Sequence, residues 1–494
     1  MDKKIVLPNG FEEMVREVIG DGEWDAFVDA LEAEPSVSVR INSQQAINPS
    51  AFGTSPKTGE EYVGNAQQTV VKWCEWGRYL AERPKFTYDP LFHAGRYYVQ
   101  EASSMFVWQA LKQYVAKDAV MLDMCAAPGG KSTLIAQYLG REGFLVSNEY
   151  VPQRAHVLVE NMTKWGARNV VVTNNAPRHF EKLKMKFDAI LVDAPCSGEG
   201  MFRKDERARE EWSLANVEMC VERGREILES AWEVLKPGGV LIYSTCTFNR
   251  RENEEQVQWL IDEMGAEYLP IEIGEDWMIT ETERGYRFLP HKSRGEGLFL
   301  AAVRKECTMH NAQCTMHNAQ CTIHNEKKAK DRKEKKHKKE NNSQLSTFNF
   351  QLFIANGSKT VGSTFNLLEG DWDLVVCDSL VYAVEKKHAE IVAECRKVLN
   401  VMLFGVPMFE IKGKDLIPQT ALAMSDVLKH GVYPEVDLTY DEAIAYLRKE
   451  AIVLDSDVSR GFVLVTYKGV PLGWVKNIGN RSNNLYPEYW RIRN

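Results

Sequence analysis

At 494 residues the chain is too long for one hydrophobic core, and about three domains are expected. Its formal charge of −8 excludes a polyanion binder whose whole surface is basic, while leaving room for a local basic face. No stretch approaches the ~20 apolar residues of a membrane span, and the amino terminus lacks the layout of a signal peptide, so a cytoplasmic protein with no membrane contact is expected. The ten cysteines are scattered without a C-x-x-C pair, the pattern of free thiols rather than of a disulfide framework.

In residues 1–85, Phe11, Met14, Val15, Val18 and Ile19, then Trp24, Phe27, Val28 and Leu31, recur at helical spacing. Val37 to Asn42 alternates like a strand, and together these predict a small N-terminal α+β domain. Residues 86–305 repeat strand, loop and helix. Ala119–Met124, Gly143–Ser147, Asn169–Thr173, Phe187–Asp193 and Gly239–Ser244 are short apolar runs, most followed by helix-length segments. That alternation predicts an α/β domain with a parallel sheet covered on both faces.

Composition then changes abruptly. Residues 307–325 read CTMHNAQ-CTMHNAQ-CTIHN, and Glu326–Glu340 carries nine Lys or Arg against four Asp or Glu. Residues 306–345 therefore read as a linker whose r.m.s. span, ~35 Å, lets the last unit sit beside the core without rigid fusion. Zinc sites want closer Cys and His pairs than a period of seven provides. Duplicated coding sequence explains the repeat better, and no metal is expected.

The third unit, residues 346–494, has helical patterns at Asp378–Leu399, Gln419–Lys429 and Asp441–Lys449. It ends in a hairpin-like run, Gly461–Tyr467 and Val470–Lys476 about Lys468-Gly469. The tail interleaves Arg481, Tyr486, Tyr489, Trp490, Arg491 and Arg493. Basic groups with aromatics suit phosphate contact and base stacking, and a small β-barrel closing its own core with Tyr and Trp accounts for the aromatics equally well.

The sharpest local signal is Met121-Leu-Asp-Met-Cys125-Ala126-Ala127-Pro128-Gly129-Gly130-Lys131-Ser-Thr. A buried strand runs through a Pro-Gly-Gly turn straight into a helix, so the backbone approaches a ligand closely and the helix N-terminus meets an anion. A nucleotide P-loop needs glycine where Cys125 stands. The alternative anion is the amino-acid carboxylate of S-adenosylmethionine. Glu149 lies 19 residues after Gly130, near where nucleoside-binding α/β folds place the acid that holds ribose hydroxyls. After the third strand come Asn174 and Asn175; a carboxamide there suits an adenine edge, or a solvated turn.

Asp193 and Cys196 follow the fourth strand and Cys246 the fifth. Ligands of open α/β sheets bind outside the carboxyl ends of the strands, so both thiols face the same crevice. A buried cysteine is most often a small core residue, but two at adjacent strand ends beside a cofactor loop point to nucleophilic chemistry. A helix opening near Asn249-Arg250-Arg251 is expected to lower the Cys246 pKa through its dipole and the two arginines.

Together these segments resemble the Nol/Nop/Sun family of RNA 5-methylcytosine methyltransferases. The matching segments are Cys125–Lys131, Asp193-Ala-Pro-Cys196-Ser-Gly-Glu-Gly200 and Ser244-Thr-Cys246-Thr, with Gln100-Glu-Ala-Ser-Ser104, Leu235-Lys-Pro-Gly-Gly239 and Gly295-Glu-Gly-Leu-Phe299. The likeness covers most of residues 35–305. The C-terminal unit, with its Gly-Val-Pro-Leu-Gly-Trp-Val-Lys476 hairpin, resembles the PUA-like appendage of the bacterial ribosomal small subunit methyltransferase F group.

The resemblance implies a Rossmann-like class I methyltransferase core, S-adenosylmethionine as cofactor, and RNA as partner. The RNA would be 16S ribosomal RNA or the 30S subunit, with a monomer the favoured state. By the same resemblance Cys246 is the nucleophile, Cys196 assists product release, Asp193 touches base and cofactor, and Glu149 holds the ribose. The family often carries Asp where this chain has Asn174-Asn175, which leaves the adenine contact open. Transfer RNA as substrate, or a non-catalytic role in ribosome assembly, are the alternatives.

Overall fold

The computed structural model describes residues 5–43, 69–306 and 367–493. The heptapeptide repeat and the basic run lie outside the described residues.

The apolar runs form five parallel strands, Val120–Asp123, Phe144–Asn148, Val170–Thr173, Phe187–Asp193 and Leu235–Thr245. Their order in space is third, second, first, fourth, fifth. Buried on both faces, such strands read as near-continuous hydrophobic runs rather than as alternating ones. The order reverses between the first and fourth strands, and the crevice at such a switch point is where an open α/β sheet binds its ligand. Beyond the fifth strand lies antiparallel Leu298–Lys305, followed by Gly285–Phe288 and Thr280–Thr282.

Helices Phe11–Ile19 and Trp24–Glu32 precede a four-stranded antiparallel sheet ordered Thr69–Val71, Cys74–Leu80, Val37–Ile41, Tyr97–Val99. This sheet takes its last strand from beyond residue 85, so the N-terminal unit reaches further along the chain than its composition suggested. Phe11 and Phe27 leave it to pack against Phe202, Trp212 and Phe248, beside the segments that carry the two strand-end cysteines.

The C-terminal unit departs most from expectation. Asp378–Leu399 is not one helix: Leu380–Glu385 is a strand paired to Trp372–Cys377 through a tight turn at Asp378, and only Ala389–Val398 is α-helical. Leu-Val-Tyr-Ala-Val carries the β-branched and aromatic residues that pack well on a pleated face. The helix expected over Gln419–Lys429 contracts to Thr420–Met424, while Tyr440–Leu447 opens on a capping box from Thr439 and Glu442. The hairpin forms from Gly461–Tyr467 and Val470–Asn477, with positive φ at Lys468 and Gly469 as a type I′ turn requires. In the tail, Tyr486 and Trp490 close the core, whereas Arg481, Tyr489, Arg491 and Arg493 face solvent.

The unit is also not a detached neighbour. Val401–Phe404 pairs antiparallel with Val170–Thr173 and extends the central sheet. Successive side chains of a strand point to opposite faces, so Leu403 enters the core on one side of that sheet and Phe404 the core on the other. No helix of the described residues is long and apolar enough to cross a membrane. Phe404→Ala is expected to cost about 3–5 kcal/mol, measured by chemical denaturation, and to lower amide exchange protection across Val170–Thr173 as well as in the C-terminal unit.

Candidate active site

The first parallel strand ends at Asp123, and the chain turns through Gly129, at φ 117°, into helix Gly130–Leu139. The opening amides of that helix have no intrahelical partner and present partial positive charge. Arg40 supports the turn from behind: fully buried, it donates to Gln100, to Gln137, to the Thr133 hydroxyl at 2.5 Å and to the Gly130 carbonyl, and it stacks on Trp165. Burial without a carboxylate partner lowers its pKa to about 10. Asp123 is fully buried, accepts from Ser132 Oγ at 2.6 Å and keeps its other oxygen unmatched. Burial raises its pKa to about 7, against the Ser132 hydrogen bond.

Glu149 sits at the end of the second strand, nearly buried, with one oxygen accepting the Val151 amide and the other 3.5 Å from Arg154. Asn174 ties its own loop to this acid by donating to the Glu149 and Tyr150 carbonyls at 2.7 and 2.9 Å. Asn175 does not join the group. Its carboxamide exchanges hydrogen bonds with the Asn400 backbone, donating to the carbonyl and accepting from the amide. That side chain, expected from the sequence at an adenine edge, is engaged here by Asn400, the residue before strand Val401–Phe404. The unmatched Asp123 oxygen and the Glu149 carboxylate as acceptors, with the helix amides as donors, form a polar set that fits an amino acid joined to a nucleoside.

Across the switch point Lys131 Nζ lies 2.8 Å from Asp193, which also accepts from Ser244 Oγ at 2.8 Å. Burial alone would lower the Lys131 pKa, yet the Asp193 carboxylate, with Cys246 contributing, raises it. The Cys196 and Cys246 sulfurs are 3.3 Å apart. The hydrogen bond to Cys246, then burial, raises the Cys196 thiol well above its ordinary range, so Cys196 is a proton-bearing partner at neutral pH. Cys125, in the glycine-rich loop, is likewise held neutral by burial and by nearby acids. The seven cysteines among the described residues are free thiols.

Two expectations about the fifth strand's exit are corrected. The helix begins at Glu254, after turns stapled by Asn249 and Asn253, rather than at Asn249. Arg250 and Arg251 do not serve Cys246; they pair with Glu283 and Glu218 at the surface. Sequence reasoning also missed Glu199, Asn249 and Glu252, which hold the two cysteine segments together. The available signal was Glu199 between two glycines and an asparagine four residues before another at a strand exit; alone, such polar turn residues look solvated.

Residues 110–304 match the family described as 16S rRNA methyltransferase RsmB/F, residues 7–102 the N-terminal domain of 16S rRNA methyltransferase RsmF, and residues 433–492 the methyltransferase RsmF PUA domain. The chain is 31% identical to ribosomal RNA small subunit methyltransferase F of Cronobacter sakazakii, over 98% of this chain and 96% of that one. It is 32% identical to the protein of the same name from Aeromonas hydrophila, over 85% of each. The fold is similar to NSun6 from Pyrococcus horikoshii solved with SFG, with a TM-score of 0.52 and 22% identity over 62% of this chain and all of that one.

Asn174→Ala removes both hydrogen bonds that fix the Glu149 segment, each worth about 1 kcal/mol. Titration calorimetry is expected to register S-adenosylmethionine binding weakened about 10-fold, with the melting temperature little changed.

Proposed function

The chain belongs to the 16S rRNA methyltransferase RsmB/F family, and from that premise we propose that it methylates carbon 5 of a cytosine in 16S ribosomal RNA through a covalent bond from Cys246. The observation that carries this reading is the pair of sulfurs, 3.3 Å apart at the exits of adjacent parallel strands. One thiol suffices for a nucleophile. A second, protonated and within bonding range of the first, suits a reaction in which the nucleophile must afterwards be expelled.

S-adenosylmethionine would be held with its carboxylate at the amides opening helix Gly130–Leu139, beside Cys125, Ala126, Ala127 and Pro128, and with its ribose hydroxyls at Glu149. When bound it supplies an electrophilic methyl group. Carbon 5 of cytosine is a weak nucleophile, and addition of a thiolate at carbon 6 turns the ring into an enamine that attacks through carbon 5. Cys246 Sγ forms that bond. Asp193, steadied by Lys131 and Ser244, accepts from the exocyclic amine of the base and so aligns carbon 6 with the sulfur.

Release follows by elimination. The carbon-5 proton is lost to water, the carbon-6 to sulfur bond breaks, and the Cys196 thiol passes its proton to the departing Cys246 sulfur. The target base must be unstacked to reach the crevice, which costs a few kcal/mol. The C-terminal region, residues 346–494, is the RNA-binding arm in this reading. Its exposed Arg481, Tyr489, Arg491 and Arg493 offer phosphate contacts and one exposed ring, set edge-on to Trp490, for stacking.

Incubation of the protein with S-adenosylmethionine and either naked 16S ribosomal RNA or 30S subunits, followed by bisulfite mapping, is expected to protect one new cytosine. Protection on neither substrate would remove the reading. Cys246→Ala should abolish turnover, by about 10³-fold or more, and form no covalent RNA adduct on denaturing gels. Cys196→Ala should retain the first addition and accumulate the adduct; the reverse pattern would exchange the two roles.

A further inference from the structure

Beneath the thiols lie two buried carboxylates, Glu199 and Glu252, exposed by 0% and 2%. Their hydrogen-bond partners are neutral. Glu199 belongs to the Cys196 segment and accepts from the other segment: the amides of Phe248 and Asn249 at 2.6 and 3.1 Å. Glu252 belongs to the Cys246 segment and accepts from the first: the Ser197 amide at 2.8 Å and the Ser197 hydroxyl at 2.5 Å. The Asn249 carboxamide donates to both acids, at 2.9 and 2.8 Å, and the Gly200 amide donates to the Cys246 carbonyl at 2.8 Å. A Cβ at Gly200 would come within 2.9 Å of that carbonyl, so the two segments touch backbone to backbone.

Stability does not call for this arrangement. Burying a carboxylate against neutral donors is costly, and apolar replacements of similar volume are often as stable. Its distinctive product is geometric. Ser197 adjoins Cys196, and Phe248 and Asn249 follow Cys246 by two and three residues, so each acid grips the backbone that aims the other segment's sulfur.

We propose that Glu199 and Glu252 are positioning residues, a crossed clasp that fixes the Cys196 sulfur within bonding range of Cys246 and keeps the proton on Cys196 until the product is released. The proposal deepens the two-thiol reading and rests on it. The groups facing Glu252 are Glu199, Cys196, Ser197, Cys220, Tyr243 and Asn249. Burial, then Glu199, raises its pKa to about 7, so it is charged at alkaline pH, where Cys196 is otherwise closest to losing its proton. The Glu252 charge adds to the hydrogen bond that Cys196 donates to Cys246 and to burial in opposing that loss. Removing the charge therefore lets Cys196 ionise at lower pH.

The test uses the full chain carrying Glu252→Gln. Iodoacetamide labelling of Cys196, read by peptide mass mapping at several pH values between about pH 8 and pH 10, where its thiol is still mostly protonated, is expected to run about 10-fold faster than in the parent. Turnover on 16S ribosomal RNA at about pH 8.5 should fall about 10-fold, with KM for S-adenosylmethionine within about 2-fold of the parent. A Cys196 labelling profile identical to the parent's overturns the proposal even if turnover falls, because a purely structural role would give the loss without the faster labelling. Should Glu252→Gln fail to fold by circular dichroism, Glu252→Met, an apolar replacement of similar volume, tests the same loss of charge, and an unmoved Cys196 profile there overturns it equally. If Cys196→Ala turns over without retaining adduct while Glu252→Gln speeds Cys196 labelling, the release role falls and the clasp stands.

Discussion

The parallel pairing of Phe187–Asp193 with Leu235–Thr245 sets Asp193 opposite Ser244, and the geometry of the crevice descends from that register. Cys196 leaves its strand three residues beyond Asp193 and Cys246 two residues beyond Ser244. Because the strands run the same way, both exits open at the same end of the sheet. The Ala194 amide donates to the Ser244 carbonyl, continuing the ladder past the last paired residues, and Gly200 closes the loop on Cys246. A slip of one residue in this register would send Asp193 to the opposite face and part it from Lys131.

Each shared motif acquires a local reason once its neighbours are known. Gln100 accepts from Arg40, the guanidinium that braces the helix opening at Gly130, and Glu101 accepts the amides of Ser104 and Glu296. Gly295 lies so close to the Ser103 hydroxyl that a Cβ would reach within 2.2 Å of it, and Gly297 leaves room for the Phe248 ring. Arg287 and Glu254, both almost wholly buried, form an ion pair whose guanidinium also donates to the Phe248 carbonyl. The buried charges therefore converge on the backbone around the strand exits rather than on the surface. A partner removed from such a pair leaves an unpaired buried charge, which explains why so many polar residues lie beneath a crevice only a few side chains wide.

The sequence made the five parallel strands legible to within about two residues at most ends, because buried strands declare themselves as Val, Ile and Leu runs. The fifth starts earlier than read, at Leu235, since Lys236-Pro-Gly-Gly239 has the composition of a turn although it is built into the strand. The strand-end placement of the glycine loop, Glu149, Asp193 and both cysteines was legible because continuous apolar runs lead directly into them. What proximity in sequence could not supply was the direction of a long side chain. Arg250 and Arg251 stand next to the Cys246 segment in sequence and away from it in space. The Asn175 contact was missed for a different reason: its partner, Asn400, arrives from 225 residues further on.

That distant arrival has a mechanical consequence. Asn174 and Asn175 are consecutive residues on one loop, yet the Asn174 side chain fixes the Glu149 and Tyr150 carbonyls while the Asn175 side chain fixes Asn400. The Asn174 amide itself donates to the Asn400 carbonyl. A displacement of the C-terminal unit thus acts directly on the loop that aims Glu149, without passing through the core. The ionic contacts of Arg168 with Glu385 and Asp426, and of Arg141 with Asp426, join the same unit to the other end of the parallel strands. Held at both ends of the third strand, the C-terminal unit is built into the edge of the central sheet and into the loop that follows Thr173, which a fold drawn as three independent modules would miss.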